Sequence, residues 1–271
     1  MKTKIQQLIK KWWATVMWAL VLTSAAISFA FMHSKQNHEV CKKLIIQNVD
    51  DKNGFIDNAD ILEMLALKSL NPIGKPINEI NTALLENIIN SNPYVANTEV
   101  FSTIDGKVHV TIRQRNPVVR IINQTGENYY IDDTGYLMPV SPKFTSDVLV
   151  ANGYINDVYN HKQINTSTDS TTDVLSQIFK VATYLQSDTI RNTLFTQLFV
   201  TNNKQLELVP RIGNHIVQIG NASALPEKIN KLMVFYVKGL NKTGWDTYST
   251  INVQYHSQVV CTRKQELDKQ Q

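Results

Sequence analysis

From Trp12 to Met32 the chain carries 21 residues without a single charge. As a helix rising roughly 1.5 Å per residue, that run reaches about 31 Å, which matches the hydrocarbon core of a bilayer. Lys2, Lys4, Lys10 and Lys11 stand before it with no acid among them, whereas Lys35, Lys42 and Lys43 beyond it are mixed with Glu39. The positive-inside bias then keeps a tail of residues 1–11 in the cytoplasm, makes 12–32 a single transmembrane helix and puts the remainder outside. Trp12 and Trp13 fall where interfacial anchors sit. A cleaved signal peptide is the rival reading, with Ser28-Phe29-Ala30 as a small-x-small site. Its apolar stretch usually spans 7 to 15 residues, so the longer run here favours an uncleaved anchor.

The formal net charge of +4 resides in the tail lysines, since the other 23 bases face 23 acids. No basic patch for nucleic acid remains once they are set aside. Six histidines are scattered, with no H-E-x-x-H and no paired Cys/His spacing, and no G-x-S-x-G, G-x-x-x-x-G-K or G-x-G-x-x-G occurs. No metal, cofactor or catalytic site is therefore expected. Asp50-Asp51 and Asp132-Asp133 lie beside turn residues and read as turn formers bonding to backbone, not as an acid/base pair. Arg113 and Arg115, near a proline, read as solvated or ion-paired positions at a domain junction. Cys41 and Cys261 both fall outside the expected membrane span. Two readings stay open for them: a disulfide tying the ends of the outer domain together, and free thiols, with Cys261 on the buried face of a strand.

After a polar tether, 33–42, the residues from 43 to 115 read as β-α-α-β-β. Leu44 to Val49 is strand-like, and Asp57 with Asp60 caps a helix carrying Ile61, Leu62 and Leu65. Asn78 is placed to cap a second helix that Pro93 stops. Val95 to Ile104 and Lys107 to Gln114 flank Asp105-Gly106, read as a type I′ hairpin turn. Residues 116–262 read as a mostly antiparallel β-domain with packed helices, one with Val174, Leu175, Ile178, Val181, Ala182 and Leu185 on one face, another opened by Pro226. Strands are expected at 118–123, 128–131, 136–140, 194–200, 205–209, 215–219 and 251–261, with a polar tail at 263–271. The fold class is α+β.

Asn92-Pro93-Tyr94-Val95 before the hairpin, Arg113-Gln114-Arg115-Asn116-Pro117-Val118-Val119 after it, and Tyr130-Ile131-Asp132-Asp133-Thr134-Gly135-Tyr136-Leu137 together resemble the POTRA-to-β-domain junction of the FtsQ/DivIB bacterial cell-division family. Ile251-Asn252-Val253-Gln254-Tyr255 with Gln258-Val259-Val260 resembles that family's C-terminal partner-binding segment. The resemblance implies a non-enzymatic scaffold in the cytoplasmic (inner) membrane at the division septum, with a periplasmic domain that links early and late division proteins. It implies FtsB-like and FtsL-like partners, the first held by strand addition. A POTRA-bearing adaptor for secretion or envelope assembly is the alternative.

Residues 250–261 alternate with period two, placing Ile251, Val253, Tyr255 and Val259 on one face and Asn252, Gln254, His256 and Gln258 on the other. The expectation is one strand at an open sheet edge, flanked by Tyr248 and including Ser257 and Val260, that pairs with the partner.

Overall fold

The computed structural model describes residues 12–13, 16–28, 39–49, 54–164 and 173–264. The backbone is helical at 12–13 and 16–28, and every side chain described there is exposed. Among the described residues no helix is long and apolar enough to cross a membrane. The expected span 12–32 is described only in part, and the tail of residues 1–11 lies outside the described residues. The chain divides into two compact units, one comprising Met1–Val49 with Asp57–Arg113, the other Asp50–Ile56 with Gln114–Gln271.

In the first unit, β1 (Lys43–Asn48), α1 (Asn58–Leu67), α2 (Thr82–Asn90), β2 (Val95–Thr103) and β3 (Lys107–Gln114) follow the expected β-α-α-β-β order. The sheet order is β1-β3-β2, with β1 parallel to β3. Asp57 accepts from Asp60 N–H while Asp60 accepts from Asp57 N–H, both at 3.0 Å, a reciprocal box that satisfies two donors at the start of α1. Two details differ from expectation. The second helix is capped by Asn81, whose Oδ1 accepts from Leu84 N–H at 2.9 Å, because Asn78 is taken up in a 3₁₀ turn, Ile77–Glu79, after which Ile80 is extended. The hairpin loop holds three residues, 104–106, and of these only Gly106 has a positive φ, +80°. A type I′ turn would need two such residues, so this is the longer loop that closes on a left-handed glycine. Ile61, Leu65, Leu85, Ile89, Val108, Val110 and Ile112 form the core between helices and sheet.

The second unit is a nine-stranded sheet. Its strands are β4 (Pro117–Ile122), β5 (Asn128–Asp132), β6 (Leu137–Pro139), β7 (Leu149–Gly153), β8 (Phe195–Val200), β9 (Leu206–Pro210), β10 (Ile216–Gly220), β11 (Tyr248–Asn252) and β12 (Val260–Arg263). Their spatial order is β12-β11-β10-β9-β8-β7-β4-β5-β6. β4/β7, β7/β8 and β10/β11 pair in parallel and the other neighbours antiparallel, so the sheet is antiparallel-rich but mixed. Parallel joins need long crossovers: β5 and β6 lie between β4 and β7, whereas helices supply the other two, α3 (Val174–Gln186) and α4 (Thr189–Leu194) between β7 and β8, and α5 (Leu225–Phe235) between β10 and β11. Ile178, Val181 and Leu185 of α3 and Ile229 and Leu232 of α5 are buried at helical spacing with Ile121, Leu198, Leu208, Val217 and Ile251 of the sheet. Each such side chain withdrawn from water contributes roughly 1.5–3 kcal/mol. Pro226 sits in the first turn of α5, as expected, while the helical path continues past Phe235 through a π turn, Tyr236–Leu240.

Asp132 is fully buried and acts as the expected turn former. Its Oδ1 accepts from Thr134 N–H at 2.9 Å, Thr134 Oγ1 at 2.7 Å and Tyr136 N–H at 2.7 Å. Its Oδ2 pairs with Arg115 Nη1 at 2.7 Å, and the guanidinium lies 3.7 Å from the Tyr136 ring centre. Cys41, in the first unit, and Cys261, in the second, carry free thiols, the first buried and the second half-buried. Burial raises the Cys261 pKa above its ordinary value.

Candidate functional site

The two edges of the large sheet are finished differently. β6 is three residues long, ends in Pro139, and is bordered by residues 162–164: Leu137 N–H donates to Lys162 O at 3.0 Å and Ile164 N–H to Gly135 O at 2.8 Å. Proline and a crossing segment are two ordinary ways of closing an edge. At the opposite end, β12 pairs only with β11 among the described residues.

The segment 215–264 builds this second edge. β10 is followed by α5, whose crossover returns the chain to place β11 parallel to β10, with Val217 opposite Ile251 and Gln218 opposite Asn252. At this join His215, Tyr236 and Trp245 cluster. His215 Nε2 lies 2.9 Å from Tyr236 Oη, and the Tyr236 and Trp245 rings are 5.1 Å apart. His215 is 2% exposed, and burial lowers its pKa below the ordinary value. Burial drives the Tyr236 phenol the other way, upward.

The expected single strand over 250–261 is corrected: β11 ends at Asn252, β12 begins at Val260, and the seven residues between them are a loop. The reasons are local. Asn252 Oδ1 accepts from Gln254 N–H at 2.9 Å, an Asx turn, while its Nδ2 donates to Gln218 Oε1 at 3.2 Å. Lys231 Nζ donates to Tyr255 O, and Ser257 is left-handed at φ +59°. β11 is therefore paired on both sides.

The free edge belongs to β12, and hydrogen-bond alternation tells which of its residues face outward. Lys264 N–H donates to Thr247 O at 3.0 Å, so Lys264 faces β11. Both backbone groups of a residue in an antiparallel strand point the same way and alternate along the chain. Thr262 and Val260 therefore face β11 too, and Cys261 and Arg263 turn their N–H and C=O groups to the open side.

Of the residues expected to bind a partner, Ile251 and Val253 are fully buried core, and Asn252 and Gln254 are engaged in the turn. Tyr248 packs on Phe235 at 5.9 Å and is half-buried, as is Val259. Tyr255, His256, Ser257, Gln258 and Val260 are exposed, Tyr255 to 51%. His256 Nδ1 lies 3.1 Å from Glu227 Oε1. Ser257, Gln258 and Val259 form one wall of an apolar groove of about 620 Å³, with Val234, Phe235 and Lys238 opposite. Thr262 and Arg263 of β12 were not anticipated. Four residues, one of them assigned to a polar tail, are too few to show a period.

A family model described as FtsQ/DivIB, C-terminal related, matches residues 116–262, more than half of the chain. The chain belongs to the FtsQ/DivIB family. A model of the POTRA-like domain matches residues 39–113. No curated protein matches the chain. Family membership supports a role in cell division through domains of non-catalytic type, and implies interactions with other division proteins.

Proposed function

We propose that this protein is a membrane-anchored scaffold of the division machinery, linking early and late division proteins, and that it captures an FtsB-like partner, with an FtsL-like one, by adding a strand to β12. The observation that carries the reading is the asymmetry of the large sheet: one edge is closed by Pro139 and a bordering segment, whereas the other has backbone donors and acceptors at Cys261 and Arg263 without a neighbour among the described residues. An open edge is an aggregation liability that a partner strand removes, and such pairing gains affinity from backbone bonds and selectivity from alternate side chains. The groove beside Ser257, Gln258 and Val259 and the exposed Val260 offer apolar contact to the side chains of an added strand. The anchor reading rests on the uncharged run 12–32 and on the exposure of Trp13, Trp18, Leu20 and Leu22 in the described part of it. Side chains of this kind, arranged all round a helix, suit lipid better than water.

The test is a photoreactive residue placed at Thr262, whose side chain is exposed, in dividing cells of the source organism. A crosslink to an FtsB-like protein is expected there, and none from the same residue placed at Lys162 beside β6. Equal capture at both positions, or at neither, refutes the assignment. A reporter active only outside the cytoplasm, fused after Gln271, is expected to be active with an intact N-terminus, and a mature terminus near Phe31 removes the anchor.

A further inference from the structure

α5 begins beside a cavity of about 340 Å³ walled by the β10–α5 turn, the first turns of α5 and the loop after β11. Lys228 lines it and is only 7% exposed. Its ammonium donates to Asn221 O at 2.9 Å and Asn221 Oδ1 at 3.1 Å. Both acceptors are neutral, and an ammonium has three donors, so one remains to be satisfied. Among the described residues no carboxylate lies within ion-pair distance of it. The nearest acid in sequence, Glu227, is instead 3.1 Å from His256 Nδ1 and 3.9 Å from Lys231 Nζ.

A lysine withdrawn from water without a counter-charge is unfavourable, and the usual relief is an opposite charge. The strain is visible in Lys228 itself: burial first, then the neighbouring Lys231 cation, lower its pKa, and Glu227 only partly opposes them. A second cation and a helix end on the wall point the same way. Lys231 is 17% exposed and lines the cavity. No side chain caps α5, because Ala224 occupies the N-cap, so the positive end of an 11-residue helix adds to the two lysines. Glu227 also lines the cavity, but it is 46% exposed and its carboxylate is shared between His256 and Lys231.

We propose that this cavity is a binding site for an oxyanion, a phosphate or carboxylate group that accepts the unspent Lys228 donor and supplies the missing counter-charge, with Lys231 as second cation. The inference goes beyond strand addition at β12 and stands whether or not a partner pairs there. The full chain, labelled with ¹⁵N-lysine in nonionic detergent, is titrated with inorganic phosphate and separately with acetate, against chloride at equal ionic strength. The Lys228 Nζ resonance is expected to shift saturably and its pKa to rise with at least one of the two probes, and the stronger probe tells phosphate from carboxylate chemistry. Lys228→Met is expected to weaken the effect, read then from thermal stabilisation, about 10- to 100-fold, the worth of a hydrogen bond to a charged group. Lys231→Gln weakens it less. No saturable shift at Lys228 with either probe overturns the proposal, and so does stabilisation that is undiminished in Lys228→Met. Should that variant fail to fold, the resonance in the parent protein still decides.

Discussion

Replacing Arg263 by proline tests the open edge without disturbing the sheet that carries it. Arg263 is exposed and, by the alternation fixed at Lys264, directs its N–H away from β11. Proline there removes one outward donor but no bond of the β11/β12 ladder. A partner strand then loses one backbone bond and keeps a carbonyl unpaired, a cost of about 1–2 kcal/mol. That corresponds to a dissociation constant roughly 5- to 30-fold higher. Thr262→Pro is the matched control. It removes a donor facing β11, so it is expected to lower the thermal midpoint of unfolding, whereas Arg263→Pro leaves that midpoint nearly unchanged. Affinity for the purified extracytoplasmic segment of an FtsB-like protein is measured by calorimetry, with unfolding followed in parallel. If Arg263→Pro binds as tightly as the parent, the partner does not pair with β12. If it binds weakly only because it also unfolds earlier, the alternation assigned to β12 is wrong.

Three other perturbations follow from the packing. Asp132→Ala removes a buried carboxylate paired with Arg115 and three turn bonds, and is expected to destabilise the second unit by about 3–5 kcal/mol in denaturant titration. Gly153→Ala puts a Cβ against the Val200 carbonyl at φ +101°, so steric overlap and backbone strain together are expected to cost about 2–5 kcal/mol. His215 has a folded pKa below its ordinary 6.5, so the unfolded chain binds the extra proton first. Stability is therefore full above about pH 6.5 and falls as pH drops from there toward the folded value. A thermal midpoint that declines between pH 7 and pH 5 in the parent, and less in His215→Gln, is the expected result.

The first unit was legible because each of its signals is local: the reciprocal Asp57/Asp60 cap, Pro93 after α2, a glycine at the hairpin. Where it differed, at Asn78 and Asp105, the backbone decided: residues 77–79 after Pro76 close as a 3₁₀ turn and leave the cap to Asn81, and the hairpin loop is one residue longer than a type I′ turn allows. The second unit depends on contacts between residues far apart. β7 was missed because Leu149–Gly153 is short and carries two turn formers, Asn152 and Gly153, and it is held in the sheet by β4 and β8 on either side. The interface segment misled for a specific reason. From Ile251 to Val259 the apolar alternation, interrupted only at Ser257, runs on through a turn, and the Asx turn at Asn252 that ends the strand is backed by bonds to Gln218 and Lys231, on other elements. No pattern in the sequence gives the burial of Lys228 either, since a lysine at the fourth residue of a helix ordinarily reads as solvated.

The second unit takes in Asp50–Ile56 from well upstream, and this has a consequence for the newborn chain. Phe55 sits edge-on to Phe144 at 4.9 Å and to Tyr130 at 5.9 Å, and the Ile56 backbone exchanges hydrogen bonds with the Gln114 side chain at 3.3 and 3.0 Å. At roughly 5–20 residues per second, Phe144 leaves the ribosome about 4–18 s after Phe55. For that interval a bare aromatic ring waits for a pocket not yet synthesised, which makes it a natural foothold for a chaperone. A fragment begun at Gln114 carries the opposite defect, an empty aromatic seat and a buried amide with neither of its partners.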